Sequence, residues 1–144
     1  MKISKVREVK TPTRGTPLSA GIDFFIPSGI HETLGPGKSC LIPSGIKANV
    51  PENHALVAFN KSGVAVKKSL HVGACVVDED YQGEIHINLT NVGNETVHLE
   101  PGEKIIQFVL VPVAYETIDV VEEGTLFEET TERGSGGFGS TGTK

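Results

Sequence analysis

The chain has 144 residues, a formal net charge of −5, 38% hydrophobic residues, 17 glycines and 8 prolines. That length suits one domain with a core of its own, and glycine and proline at this frequency argue against a helical bundle or coiled coil. The acidic balance argues against a protein that coats nucleic acid or an anionic membrane, while leaving room for a small local phosphate site.

Residues 1–14 are mostly polar and basic and lack the charged-then-apolar pattern of a secretion signal. Strand candidates follow at 22–26, 41–50, 56–59 and 70–77. Ile85, Ile87 and Leu89 alternate with His86, Asn88 and Thr90, the period of a half-buried strand. Residues 105–111 form a near-continuous apolar run, which suits a strand buried on both faces, and 118–121 is the last candidate. Turn clusters separate them at Pro27-Ser28-Gly29, Gly35-Pro36-Gly37, Pro43-Ser44-Gly45, Val92-Gly93-Asn94 and Pro101-Gly102. Many short strands at this spacing predict an all-β jelly-roll sandwich or barrel. One short helix is predicted, capped by Ser62 and running through Val64, Ala65, Val66 and Lys67.

The end of the chain differs in kind, with five glycines among residues 134–144 and one aromatic, Phe138. No apolar period ties it to a core, which predicts a mobile arm. The expected organisation is a domain over 1–127 and an arm over 128–144. Cys40 and Cys75 lack the spacing of a metal or redox motif and are expected as buried free thiols. With the missing secretion signal, they place the protein in the cytoplasm (or the nucleus or host cytoplasm, for a eukaryotic or viral source). The longest apolar stretch, 108–115, is broken by Pro112 and too short to span a bilayer.

Two motif matches fail on context. Residues 134–139 fit Gly-x-Gly-x-x-Gly, but no strand precedes them and no helix can follow. Gly37-Lys38-Ser39 ends like a Walker A loop, yet Glu32 stands where its first glycine is needed. The five histidines show no metal-ligand spacing.

Other features carry chemistry. Residues 78–84, Asp-Glu-Asp-Tyr-Gln-Gly-Glu, are either a solvated hairpin loop or a turn that holds a poised base. Asn60-Lys61-Ser62-Gly63 is either an ordinary helix start or an anion site with amides, a hydroxyl and an ammonium. Asp23 opens a strand and can simply close a turn. Gln107, inside an apolar strand, needs partners, either within the core or at a polar cavity. In the tail, Arg133 can fork onto a phosphate, the glycines can wrap anions, and Phe138 offers a flat face to a base.

In this order the residues resemble the five motifs of the trimeric deoxyuridine triphosphatase (dUTPase) family. They are Ala20-Gly21-Ile22-Asp23, Lys61-Ser62-Gly63, the hairpin Val76-Val77-Asp78-Glu79-Asp80-Tyr81-Gln82-Gly83, Gly102-Glu103-Lys104-Ile105-Ile106-Gln107, and residues 133–142. The resemblance covers residues 20–142. It implies a jelly-roll subunit, a homotrimer with sites shared between subunits, and Mg2+-assisted hydrolysis of dUTP to dUMP and pyrophosphate. It also implies no nucleic-acid or membrane partner.

Carried over residue by residue, Asp78 is the base that activates water. Tyr81 presses on the deoxyribose, and the hairpin backbone from Gly73 through Val77 to Gly83 reads uracil. Lys61, Ser62, Gly63 and Gln107 meet the phosphates, and Asp23 acts near the metal through water or fixes neighbouring side chains. Arg133, Phe138, Gly139, Ser140 and Thr141 close over the substrate. Two positions depart from the pattern: Lys61 replaces the usual Arg, so its contacts differ, and Cys75 replaces a common Gly. Two rival functions are a deoxycytidine triphosphate deaminase, which shares the fold but attacks the base, and a dUTP-responsive binding protein that partners a regulator. The Asp-x-Asp-Tyr hairpin and the Phe-bearing arm favour the pyrophosphatase over the first, and the intact Asp78 argues against a pocket that is only a sensor.

Overall fold

The computed structural model describes residues 1–137 and 140. In chain order the first strands are β1 (Lys2–Lys5), β2 (Thr13–Arg14), β3 (Ile22–Phe25), β4 (Glu32–Leu34), β5 (Ser39–Pro43), β6 (Ile46–Asn49) and β7 (His54–Phe59). Helix α1 (Ser62–Lys68) follows, then β8 (Leu70–Val72), β9 (Val76–Val77), β10 (His86–Asn91), β11 (Val97–Leu99) and β12 (Lys104–Pro112). They pair into a five-stranded sheet β2-β3-β12-β7-β9, a three-stranded sheet β5-β10-β8, and the pairs β1-β6 and β4-β11. Every ladder is antiparallel. The fold is the expected jelly roll.

One core joins the sheets. Phe24 and Phe108 of the five-stranded sheet pack with ring centroids 4.5 Å apart, and Ile42, Ile87 and Leu89 of the smaller sheet are buried in the same cluster. β12 reaches this core through a bulge. Its register shifts between Lys104, opposite Phe25, and Ile106, opposite Phe24. The extra residue lets Ile105 and Ile106, neighbours in sequence, both be buried. Beyond the bulge the strand alternates: Phe108 is buried, while Gln107, Val109 and Val111 remain half-buried on the other face. The run is therefore covered on one side within the chain, not on both.

Other departures have local causes. The candidate 41–50 divides into β5 and β6, because Gly45 adopts a left-handed φ of 74°. Residues 70–77 divide around a short excursion at 73–75. Cys40 is buried, and that burial pushes its thiol up from the ordinary value. Cys75, expected to be buried, is exposed on the excursion. Among the described residues no helix is long and apolar enough to cross a membrane.

The chain divides into two units, Met1–Ala114 and Tyr115–Lys144. Within the second, Glu123–Thr125 form a 3-10 turn. The strand expected at 118–121 is absent, and Ile118 and Val120 are exposed. A strand needs a ladder partner, and among the described residues this segment has none. The second unit holds two basic and seven acidic residues, the whole net charge of −5. The first, with eleven of each sign, is formally neutral.

Glu84 anchors the acidic hairpin to this frame. Its carboxylate accepts Arg7 Nε at 2.7 Å, Arg7 Nη2 at 3.1 Å and the Gly45 amide at 2.8 Å. The hydrogen bond from Arg7 is the main cause that holds the Glu84 carboxyl below its ordinary value. A carboxyl lowered on folding stabilises the native state above its unfolded value and loses that contribution as pH falls through the folded one. Thermal unfolding should therefore show Glu84→Gln melting below wild type at neutral pH. The gap should close as pH drops below the ordinary glutamate range; a gap independent of pH would contradict the clamp.

Candidate active site

The excursion and turn between β8 and β10 form the first cluster. The Tyr81 amide donates to Asp78 O at 3.2 Å, closing the turn. Tyr81 then donates its hydroxyl to Glu84 O at 3.0 Å, and its ring lies where a Cβ on Gly83 would stand. Glycine at 83 is thus a packing requirement of the tyrosine. The carboxylates of this turn have separate fates. Glu79 accepts the Asn53 amide at 2.5 Å, and Glu84 is clamped by Arg7. Asp78 is exposed, and among the described residues its carboxylate has no partner. It lines a cavity of about 150 Å³ with Cys75, Val77, Tyr81, His86 and Phe108.

The second cluster forms where β3, β12 and the start of α1 meet. Asp23 is buried at 4% exposure, ion-paired to Lys61 and 3.5 Å from Lys104 Nζ. A carboxylate buried this deeply requires such cations. Gln107 lies opposite Asp23 on one side and Phe59 on the other. Its Nε2 donates to Asn60 O at 2.8 Å, and its Oε1 fills the space of a Cβ on Gly21. The half-buried glutamine therefore bridges the loops at Asn60 and Gly21 on the outer face of the sheet. The helix begins at Ser62 with Lys61 as N-cap and no side-chain cap bond. Ser62 is thus not the cap that was expected. It stands in the first turn beside Gly63, where helical amides lack intrahelical partners.

The two clusters lie apart. Val77 faces Leu56, so Asp78 extends toward the level of Ala55, whereas Asp23 and Gln107 are level with Phe59. Along the strand direction four residues separate them by about 13 Å, and β9 and β3 stand three strands apart, about 14 Å across the sheet. None of Asp23, Lys61, Ser62 or Gln107 lines the Asp78 cavity. Beside the second cluster the outer sheet face is apolar. Gln107, Val109 and Val111 alternate on it with Phe59 and Val57, and Phe59 is 47% exposed.

In the second unit, Arg133 Nε donates to Gly136 O at 2.9 Å, and the Gly136 amide returns a bond to Arg133 O at 3.0 Å. The Ser140 amide donates to Gly137 O at 3.1 Å. Phe138, Gly139 and Thr141 lie outside the described residues. Among the described residues no group of three His, Cys, Asp or Glu is placed to enclose a metal. Lys61 and Lys104 engage the two oxygens of Asp23, so this carboxylate would reach Mg2+ only through water, which suits an ion that keeps much of its water and binds through substrate phosphates.

Sequence reasoning did not single out two neighbours of these clusters, His86 and Asn88. His86 was detectable as the first outward residue of the alternating run, next to the acidic turn. Asn88 acts through bonds to distant main chain, and no local pattern marks it.

The dUTPase family model matches residues 7–142. A deoxyuridine 5'-triphosphate nucleotidohydrolase of Chlamydia pneumoniae is 43% identical over 135 residues, covering 91% of this chain and 90% of its own. The mouse nucleotidohydrolase of that name is 39% identical over 131 residues, covering 91% and 77%. The dUTPase of Staphylococcus bacteriophage 80alpha, solved with dUPNHPP, superposes with a TM-score of 0.87 at 26% identity. That match covers 98% of this chain and 97% of the phage chain. With its jelly roll, its acidic hairpin and its Asp23–Lys61–Gln107 cluster, the chain belongs to the dUTPase family.

Proposed function

We propose that the protein is a homotrimeric, Mg2+-dependent dUTP diphosphatase that releases dUMP and pyrophosphate, supplying dUMP and keeping uracil out of DNA. One observation carries this reading: Asp78 alone of the cavity-lining residues is an uncommitted carboxylate, and it stands beside Tyr81 in a cavity of pyrimidine scale. Uracil enters that cavity and is read by the backbone of residues 73–83, with Val77 as part of the wall. A C5-methyl group meets the wall, so thymine is excluded. Tyr81, fixed by its bond to Glu84 O and its contact with Gly83, stacks on the deoxyribose and leaves no space for a 2′-hydroxyl.

Asp78 orients a water and takes its proton as the water oxygen bonds to the α-phosphorus. The bond from that phosphorus to the bridging oxygen breaks, and pyrophosphate leaves with the electron pair. Ser62 and Gly63 donate to the phosphate chain, and Lys61, as a point charge, neutralises it. Gln107 holds the loop that carries these groups. Arg133, Phe138, Gly139, Ser140 and Thr141 belong to an arm, residues 128–144 beyond a domain of 1–127, that closes on the substrate and excludes bulk water. Asp23 would hold the hydrated metal through water, and Mg2+, when bound, would supply charge withdrawal from the phosphate oxygens.

Two features support sites shared between subunits. The Asp78 and Asp23 clusters of one chain are about 13 Å apart along β7, farther than the span of a triphosphate. The apolar face of Val57, Val109 and Val111 adjoins the Asp23 cluster and suits burial against a second copy. Two free thiols fit a reducing compartment, in keeping with a cytoplasmic enzyme.

The test offers dUTP, dTTP, dCTP and UTP with Mg2+ and follows pyrophosphate and ammonia separately. Pyrophosphate from dUTP alone is expected; ammonia from dCTP, or no turnover, would overturn the reading. The Asp78→Asn enzyme should bind dUTP near wild-type affinity yet lose turnover by about 10²–10⁴-fold. Retained activity would remove Asp78 from the base role.

A further inference from the structure

We propose that Asn88 is a positioning residue for base recognition: its carboxamide fixes the point where β8 leaves the sheet and so places the first wall of the base cavity. This rests on the reading of the Asp78 cavity as the uracil site.

Asn88 stands in the middle of β10, in the outward row with His86 and Thr90, between β5 and β8. The ladder of β10 with β8 runs from Asn91 opposite Leu70 to Leu89 opposite Val72 and then stops. The Gly73 amide still reaches Asn88 O, at 3.1 Å. One residue further, a side chain replaces the main-chain rung: the Ala74 amide donates to Asn88 Oδ1 at 3.1 Å. The other end of the same carboxamide is held from the opposite strand, with Nδ2 donating to Cys40 O at 2.8 Å. Ahead of it, the Val72 amide donates to Asn60 Oδ1 at 2.8 Å. Three successive amides, 72 to 74, are thereby fixed just where Ala74 begins to line the cavity.

The carboxamide is also the reason residue 73 is glycine. A Cβ there would overlap Asn88 Oδ1 and come within 3.0 Å of Asn88 Cγ. Asparagine alone among residues of its length provides one acceptor and one donor on a single planar group. Aspartate lacks the donor and leucine lacks both. Because Asn88 is half-buried, both ends need partners. With the amide lost, Ala74 has no rung to hold it, and the wall that meets position 5 of the base can shift.

Steady-state kinetics on dUTP and dTTP, with thermal unfolding run alongside, test the role. Asn88→Ala should raise KM for dUTP about tenfold while leaving kcat within about twofold, the scale of one lost positioning hydrogen bond. Its preference for dUTP over dTTP should fall about tenfold or more, since a displaced wall admits a methyl group. Asn88→Asp keeps the acceptor for Ala74 but sets a second oxygen against Cys40 O, so its KM and preference should fall between those of wild type and Asn88→Ala, and that intermediate shift carries the test if the alanine variant does not fold. Gly73→Ala should impair the wild-type background more than the Asn88→Ala background, where the overlapping carboxamide is gone. Unchanged KM and preference in Asn88→Ala, or in Asn88→Asp should the alanine variant not fold, would overturn the assignment even if melting temperatures moved. Should wild type itself fail to cleave dUTP, the uracil reading falls with it. A wild type that cleaves dUTP beside an unaltered Asn88→Ala rejects Asn88 alone.

Discussion

The ladder that joins β12 to β3 and β7 is the constraint on which the other features depend. Its bulge at Ile105 buries two successive isoleucines and sets the alternation of every later residue. Phe108 is thereby turned into the core, against Phe24, and Gln107 onto the outer face, level with Asp23 and Phe59. From that row Gln107 holds the Asn60 carbonyl, and the loop bearing Lys61 and Ser62 follows. The same β7 carries β9 on its far edge, so one strand fixes both chemical clusters and the distance between them.

That distance gives the electrostatics their meaning. A triphosphate brings several negative charges to a chain whose net charge is −5, yet the unit with both clusters is formally neutral. Four of its cations are paired: Lys61 and Lys104 with Asp23, Lys68 with Glu103, Arg7 with Glu84. Lys61 is therefore held against a buried carboxylate, and phosphate must compete for it. A strongly hydrated point charge releases and exchanges partners more readily than a guanidinium fork would. The cluster thus stores a cation without leaving a bare positive patch, which suits recognition of one small anion over a polyanion.

Much of this was legible in the sequence, for physical reasons. Period-two alternation identified β10, turn residues separated the strands, and Gln107 was conspicuous as one amide in an apolar run. Misreadings arose where the deciding partner is distant. Both faces of β12 are apolar, so alternation could not say that one would stay open within the chain. The split of 41–50 depends on the φ of Gly45, and its amide is held by Glu84 from another loop. Ser62 has the chemistry of a cap, yet Lys61 takes that place in the structure. Residues 118–121 have strand composition but no ladder partner among the described residues. Asn88 looked like an ordinary outward residue, because its roles lie with Cys40 and Ala74 on other strands.

The separation of the Asp78 and Asp23 clusters is tested most directly by mixing two inactive subunits. One carries Asp78→Asn and loses the base; the other carries Ser62→Glu, which sets a carboxylate against the phosphates at a helix start that tolerates it. Dissociated together and reassembled in equal amounts, they should regain activity at about a quarter of the sites, those that join an intact hairpin from one chain to an intact phosphate loop from another. A reassembled mixture no more active than either variant alone would mean that each chain completes its own site, and would contradict sites shared across the trimer.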